Sequence, residues 1–220
     1  VDVTFNRRIA GIAAGTAGAI VLITWYVMSW VTSFPPTVMA GTTGGVTNVT
    51  FQTVASYGHQ PHPDWVSYMI KNPQGDWVHS TVVQVPAHSL VRFTIYNYDG
   101  ASGLRNPLWS QPRGTVGGTE TIDGKPYAAI DPTLASHTFA IPDMGVSVAL
   151  PGVGDTAPNQ CAVTPCQLSM AHHTIIFTIR TGKPGHYRWQ CFVPCAAGFP
   201  NGFGGPMQTV GWMDGYLNVA

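Results

Sequence analysis

Charge is what this 220-residue chain has least of. Asp, Glu, Lys and Arg make up 9% of it, against about a quarter in an average soluble domain. The basic and acidic residues balance to a net charge of zero, so there is no positive field to draw a nucleic acid. The scarcity has two readings. One is a membrane protein covered by partner subunits. The other is a domain facing acid, where carboxylates are neutral and surplus Lys and Arg would repel one another. Cysteine is also sparse: Cys161, Cys166, Cys191 and Cys195. They form no CxxC pair, which argues against a zinc ribbon, and no CxxCH, which excludes covalent c-type haem. Gly-rich phosphate loops, heptads and internal repeats are missing. So are a Ser/His/Asp triad, paired carboxylates and a zinc motif, so no catalysis by this chain alone is expected.

What the chain does have begins with a long apolar run. Residues 9–36, IAGIAAGTAGAIVLITWYVMSWVTSFPP, carry no charge. A bilayer core needs about twenty apolar residues in a helix, and the run exceeds the 7–15 residues of a signal-peptide core. A retained anchor over 1–36 is the expectation. Gly11, Ala13, Ala14, Gly15, Ala17, Gly18 and Ala19 leave room for a neighbouring helix. Trp25, Tyr26 and Trp30 suit the far interface. Pro35 and Pro36 should end the helix. Arg7 and Arg8 precede the run, and no Lys or Arg follows until Lys71. This places the N-terminus in the cytoplasm and residues 37–220 on the outer face of a single-pass protein, where disulfides persist.

Beyond residue 36, glycine and proline are frequent, 25 and 18 in the whole chain, and short strand-like segments recur between turns. VTNVTFQTV (46–54) and SLVRFTIYN (89–97) alternate, with Val91, Phe93 and Ile95 on one face. DWVHSTVVQVP (76–86), HTFAIP (137–142), HTIIFTIR (173–180), GHYRWQC (185–191) and GYLNV (215–219) follow. The pattern predicts an antiparallel, all-β sandwich. Two Gly/Pro-rich stretches, 99–136 and 152–171, exceed what a minimal sandwich needs. Loops this long either carry function or decorate the fold.

HTFAIPDMGVSVALPG, then GKPGHYRWQCFVPC, then GPM and a final GYLNV resemble the cupredoxins, and most of all the cupredoxin domain of subunit II of haem-copper terminal oxidases. In that family H-[ST]-F-x-[IV]-P-x-[LM]-G carries a ligand histidine, and P-G-x-Y-x-x-x-C delivers the cysteine loop. The resemblance spans roughly 90–98 and 137–219 with the preceding anchor. It implies a Greek-key β-sandwich. It also implies that His137 is an imidazole ligand and that Cys191 and Cys195 are thiolate ligands of copper.

The ligand set it implies is incomplete. The family's binuclear site continues C-G-x-x-H-x-x-M, where this chain has Phe199 and Gly202. The mononuclear template, C-x-[VT]-P-G-H, matches Val193 and Pro194 but meets Ala196 at its histidine. Met207 stands as a displaced methionine ligand. A blue site needs two imidazoles and a thiolate with a distant methionine, so one imidazole is wanting. His186 is five residues before Cys191, an odd separation that turns it to the other face. His172 and His173 open the preceding strand and are expected at the far end of the sandwich. His59, His62, His79 and His88 belong to early strands or loops. The cysteines have a covalent alternative: four allow three pairings, and sequence leaves them open. Trp189, two residues before Cys191, is a candidate electron-entry contact or else a core aromatic.

Three functions from different classes follow. The first is a subunit II-like component of a quinol-oxidising terminal oxidase, its copper site degenerate. In that case copper is doubtful in this chain, while haem and copper reside in a partner subunit I. The second is a copper-binding electron-transfer subunit, with quinol or a soluble donor feeding the complex. The third is a structural docking module of another respiratory complex. Each expects the lipid bilayer and membrane subunits as partners, and none expects nucleic acid.

Overall fold

The structure is a computed structural model describing residues 3–31, 34–58, 64–196 and 202–220. His59, His62 and Phe199 lie outside the described residues, as does the side chain of Trp30. The chain divides into two units, Val1–Phe34 and Pro35–Ala220.

In the first unit, α1 (Val3–Tyr26) runs on into a π-helical turn at Val27–Val31. Its backbone groups bond within the helix, the condition for entering hydrocarbon. Ile20, Leu22 and Ile23 are exposed, which water penalises and lipid does not. Arg7–Ser29 is long and apolar enough to cross a membrane. That fits a single-pass anchor and equally a signal sequence.

The second unit is a two-sheet β-sandwich. Among the described residues its strands are β1 (Thr37–Met39), β2 (Gly41–Thr43), β3 (Val46–Tyr57), β4 (Trp65–Lys71), β5 (Trp77–Val78), β6 (Val82–Val85) and β7 (Leu90–Asn97). After these come β8 (Glu120–Ile122), β9 (Lys125–Tyr127), β10 (Ala135–Ile141), β11 (Val146–Pro151), β12 (His173–Arg180), β13 (Gly185–Gln190) and β14 (Asp214–Val219). One sheet has the order β1-β6-β14-β13-β10-β11. The other runs β5-β4-β3-β7-β12-β8-β9, with β2 paired to β3.

The sandwich is mixed rather than purely antiparallel. β1 and β6, β6 and β14, and β3 and β7 pair in parallel. Parallel neighbours need a crossover in the chain between them. β4, β5 and β6 supply it for β3 and β7. The segment 76–86, expected as one strand, is two: β5 joins one sheet and β6 the other. Ser80 and Thr81 fix the crossing, Ser80 Oγ donating to the Pro36 carbonyl at 2.6 Å and Thr81 Oγ1 to the Asp214 carbonyl at 2.6 Å.

The core forms because the alternating strands turn aromatics inward from both sheets. Phe93 and Phe177 are register partners on β7 and β12, with ring centroids 5.1 Å apart. Phe51 and Tyr68 join them from β3 and β4, and Phe139 and Trp189 meet them from the opposite sheet. Burying each ring is worth about 1.5–3 kcal/mol. Gly215 makes this packing possible. A Cβ there would lie 2.1 Å from the Thr81 carbonyl and 2.7 Å from the Trp189 ring.

The two long insertions are ordered extensions of the sandwich. From 99–136, β8 and β9 add a hairpin beside β12. From 152–171, the Cys161–Cys166 disulfide closes a loop, and the Cys166 N–H donates to Gln52 Oε1 on β3 at 2.8 Å.

Candidate metal centre

The one cluster of potential metal-binding histidine, cysteine and acidic side chains among the described residues is His137, Cys191 and Cys195. Their ligand atoms all lie within 4.8 Å of one another. Local structure explains the convergence. His137 is on β10, next to a register shift between Ala135 and His137, and is almost wholly buried. Cys191 directly follows β13, which pairs with β10 through Ala140 and Gln190. The Thr138 N–H points at Cys191 Sγ (3.4 Å), and Thr138 Oγ1 accepts from the Phe192 N–H (2.7 Å). These two contacts pin the start of the cysteine loop against the histidine strand.

The loop then brings Cys195 back, its Sγ donating to Cys191 Sγ at 3.8 Å. It returns to Met207 in a 3-10 turn, Gly205–Gln208. Met207 is fully buried, with Sδ 2.9 Å from Cys195 Sγ. Gly202 holds the return in the left-handed region (φ +84°), where a Cβ would meet Pro194 at 2.7 Å. Sequence reasoning named all four of these side chains; His137, Cys191 and Cys195 cluster, and Met207 touches Cys195. Cys191 and Cys195 are free thiols, while Cys161 and Cys166 are bonded to each other.

Asp99, the first residue of the long insertion, was missed as part of the site. Its Oδ2 accepts from His137 Nε2 at 3.0 Å, and its Oδ1 accepts from the Gly100 N–H at 2.8 Å. With Nε2 engaged, Nδ1 is left facing Cys191 Sγ at 3.9 Å. A carboxylate behind a histidine fixes its tautomer and raises its basicity as a ligand. No local signal marks Asp99; a fold-level pairing across 38 residues creates the contact.

The electrostatics follow from burial and these contacts. Burial opposes ionisation of Cys191, but hydrogen bonds from Cys195 and His137, the imidazole charge and the Thr138 N–H outweigh it. They hold its thiol well below the usual range. The hydrogen bond to Cys191 and burial together push the Cys195 thiol up. Burial lowers His137, yet Asp99 and Cys191 raise it to about 9. Burial raises Asp99, and the hydrogen bond and charge of His137 bring it below the ordinary carboxylate value. Tyr68, whose hydroxyl donates to the Thr138 carbonyl at 3.0 Å, is raised by burial and by the two cysteines.

The donor set tests what could sit here. Two thiolates each about 2.3 Å from one tetrahedral ion stand about 3.8 Å apart, which is the Cys191–Cys195 separation. Two sulfurs, a thioether and an imidazole are a soft set, suited to copper over hard cations. A second imidazole does not join the cluster among the described residues. His186 is exposed and holds Asn218. His79 stacks on Tyr57, with Nε2 3.2 Å from Ser67 Oγ. His88 is exposed in a turn. His172 and His173 were expected at the far end, yet His173 is the register partner of Asn97, two residues from Asp99. They stay out of the cluster, His172 Nδ1 lying 2.8 Å from the Met170 carbonyl and His173 Nδ1 2.6 Å from Asp123 Oδ2.

Trp189 needs correction as an electron-entry contact. It is fully buried between Phe51, Tyr68 and Phe139, and its indole N–H donates to the Thr81 carbonyl at 3.0 Å. It has no surface for a donor to touch. Among the described residues, Trp65 is the aromatic that shares a cavity with Cys195. It lines a cavity of about 550 Å³ with Asp64, Asp99, Cys195, Ala196 and Pro206.

No family model and no curated protein matches this chain. Among solved structures it is similar to reduced rusticyanin, at 18% identity over 84% of this chain and 84% of that one, with a TM-score of 0.34. It is similar to rusticyanin from Thiobacillus ferrooxidans, at 14% identity over 84% and 82%, with a TM-score of 0.31. The metal-binding domain of the Cu(I)-exporting P-type ATPase CopA of Streptococcus pneumoniae D39 is also similar, at 8% identity over 86% and 99%, with a TM-score of 0.34.

Proposed function

We propose that the sandwich is a cupredoxin-like electron-transfer domain holding copper through His137, Cys191, Cys195 and Met207. The observation that carries this is the convergence of those four side chains with Asp99 behind the imidazole. It favours a copper-holding site over a degenerate one, because Cys191 and Cys195 are free rather than consumed in a disulfide.

Copper, when bound, supplies reversible one-electron transfer. The chain's own groups do the rest. His137 on β10 and Cys191 just after β13 are anchored by packed strands, which would limit the geometric change that slows electron transfer. Asp99 keeps the His137 Nε2 proton, so that Nδ1 is the atom offered. Cys195, whose thiol is pushed up by its hydrogen bond to Cys191 and by burial, must lose its proton to become a ligand. The Thr138 N–H stabilises negative charge on Cys191.

Placement as a subunit II-like component of a terminal oxidase rests on the sequence resemblance. In that setting the helix anchors the domain on the outer face of a membrane, and electrons pass onward to haem in subunit I. The test is to load the full chain, in detergent, with copper and record visible absorption and electron paramagnetic resonance. Intense thiolate-to-copper bands that bleach on reduction and return on reoxidation are expected. Loss of both thiols to a second disulfide, with no bands, would reject the reading.

A further inference from the structure

Tyr68 on β4 is fully buried, and a phenol hydroxyl in an apolar core needs a partner. Its partner lies across the sandwich. The hydroxyl donates to the Thr138 carbonyl on β10 at 3.0 Å. One side chain thus ties the sheet of β4 to the sheet that carries the cluster.

Thr138 directly follows His137, and its polar groups turn to the site. β10 meets β13 through the register pair Ala140 and Gln190, two residues further along. At Thr138 itself the N–H points at Cys191 Sγ at 3.4 Å, Oγ1 accepts from the Phe192 N–H at 2.7 Å, and the carbonyl takes the Tyr68 hydroxyl. A buried hydroxyl left unpaired is costly, so this contact is kept. The ring behind it is held in place. It packs edge-on to Trp189 at 4.9 Å and to Phe51 at 5.7 Å, and the Tyr68 N–H donates to the Trp212 carbonyl at 3.0 Å. Burial first, and then the charges of Cys191 and Cys195, push the phenol up. A protonated phenol facing a carbonyl is a fixed donor, because the carbonyl takes no proton.

We infer that Tyr68 is a positioning residue of the cluster: its hydroxyl fixes Thr138, and with it the N–H directed at Cys191 Sγ. This clamp belongs to the chain itself. Its consequence for electron transfer rests on the copper reading above. An N–H on the sulfur stabilises negative charge there, and hydrogen bonding around a cysteine sulfur tunes the potential of a copper held by it. Loss of the hydroxyl loosens the N–H, leaves the sulfur a stronger donor and favours the oxidised ion.

The experiment compares the full chain in detergent with Y68F, which keeps the ring and removes one oxygen. In the metal-free chain, the Thr138 amide should exchange its hydrogen about tenfold faster in Y68F, the order of one hydrogen bond, while the amides of β7 keep their rates. In the copper-loaded chain, Y68F should lower the reduction potential and shift the thiolate-to-copper bands. F177L is the control for packing. Phe177 stacks on Phe93 in the same core and belongs to no link between Tyr68 and Cys191. It should lower the unfolding midpoint and move neither readout. Unchanged Thr138 exchange in Y68F would overturn the inference, as would the same changes in F177L, or faster exchange with a wild-type potential. Bands missing from the wild type would fail the copper reading instead, and the metal-free exchange would then decide the clamp by itself.

Discussion

Two pairs of cysteines at nearly the same spacing meet different fates in this molecule. Cys161 and Cys166, five residues apart, are a disulfide. Cys191 and Cys195, four apart, remain thiols with their sulfurs 3.8 Å apart. The difference lies in what surrounds them. Cys166 packs with Val54 and Tyr98, an apolar setting that offers no charge to stabilise a thiolate. Cys191 sits among an imidazole, a thiol and a backbone N–H, all directed at its sulfur. One pair closes a loop, and the other stays free beside an imidazole and a thioether.

The same contrast separates two carboxylates of one insertion. Asp99 is paired with His137 and held low. Glu120 on β8 is 2% exposed, neither oxygen meets a hydrogen-bond partner, and burial raises it to about 8. Position in the fold, rather than residue type, sets the chemistry in both comparisons.

The largest effect that can break the cysteine comparison is C191S. It should cost at least about a hundredfold in copper affinity, beyond the 10–100-fold typical of losing a supporting partner. C161S should leave the copper bands in place. A competition titration with a copper chelator measures both.

Glu120 gives the next largest effect. Its folded pKa of about 8 lies above the usual unfolded value near 4.3, so the folded state holds the proton more tightly. Its contribution is therefore full below about pH 4.3 and is lost as pH rises through 8, by at most about 5 kcal/mol. Denaturant unfolding at several pH values should show stability rising toward acid, with E120Q flattening the slope. A wild type least stable in acid would contradict the assignment. The expected sign agrees with the acid reading of the chain's sparse charge.

D99N should weaken copper binding by about 10–100-fold with little change in unfolding midpoint. If affinity is unchanged, Asp99 does not position His137. The smallest effect belongs to the structural pair. Replacing Cys161 and Cys166 with alanine should lower stability by about 2 kcal/mol, the loop-closure value for so short a loop, and spare the metal site.

These contrasts also mark how far the sequence could be read. β7 and β12 were legible because Val91, Phe93 and Ile95, and then Ile175, Phe177 and Ile179, alternate inward. β4 was hidden because Val66 to Ile70 are all buried and leave no alternation. β8 and β9 are three residues each, too short for periodicity, although the Asp123-Gly124 pair between them is a recognised hairpin signal. In the site, His137, Cys191, Cys195 and Met207 stood out because two of them share one loop and the others carry recognisable neighbours. Asp99, Asp64 and Trp65 come from a loop end and another strand, and only the assembled sandwich brings them to the same side.

The central claim is that four side chains form one copper centre. X-ray absorption at the copper edge, on the loaded full chain, tests it most directly. The account predicts a single tightly held copper per chain with two short sulfur ligands, at least one imidazole nitrogen and a weaker thioether contact. A copper bound only by nitrogen and oxygen, or a chain that retains no copper while Cys191 and Cys195 stay reduced, would contradict it.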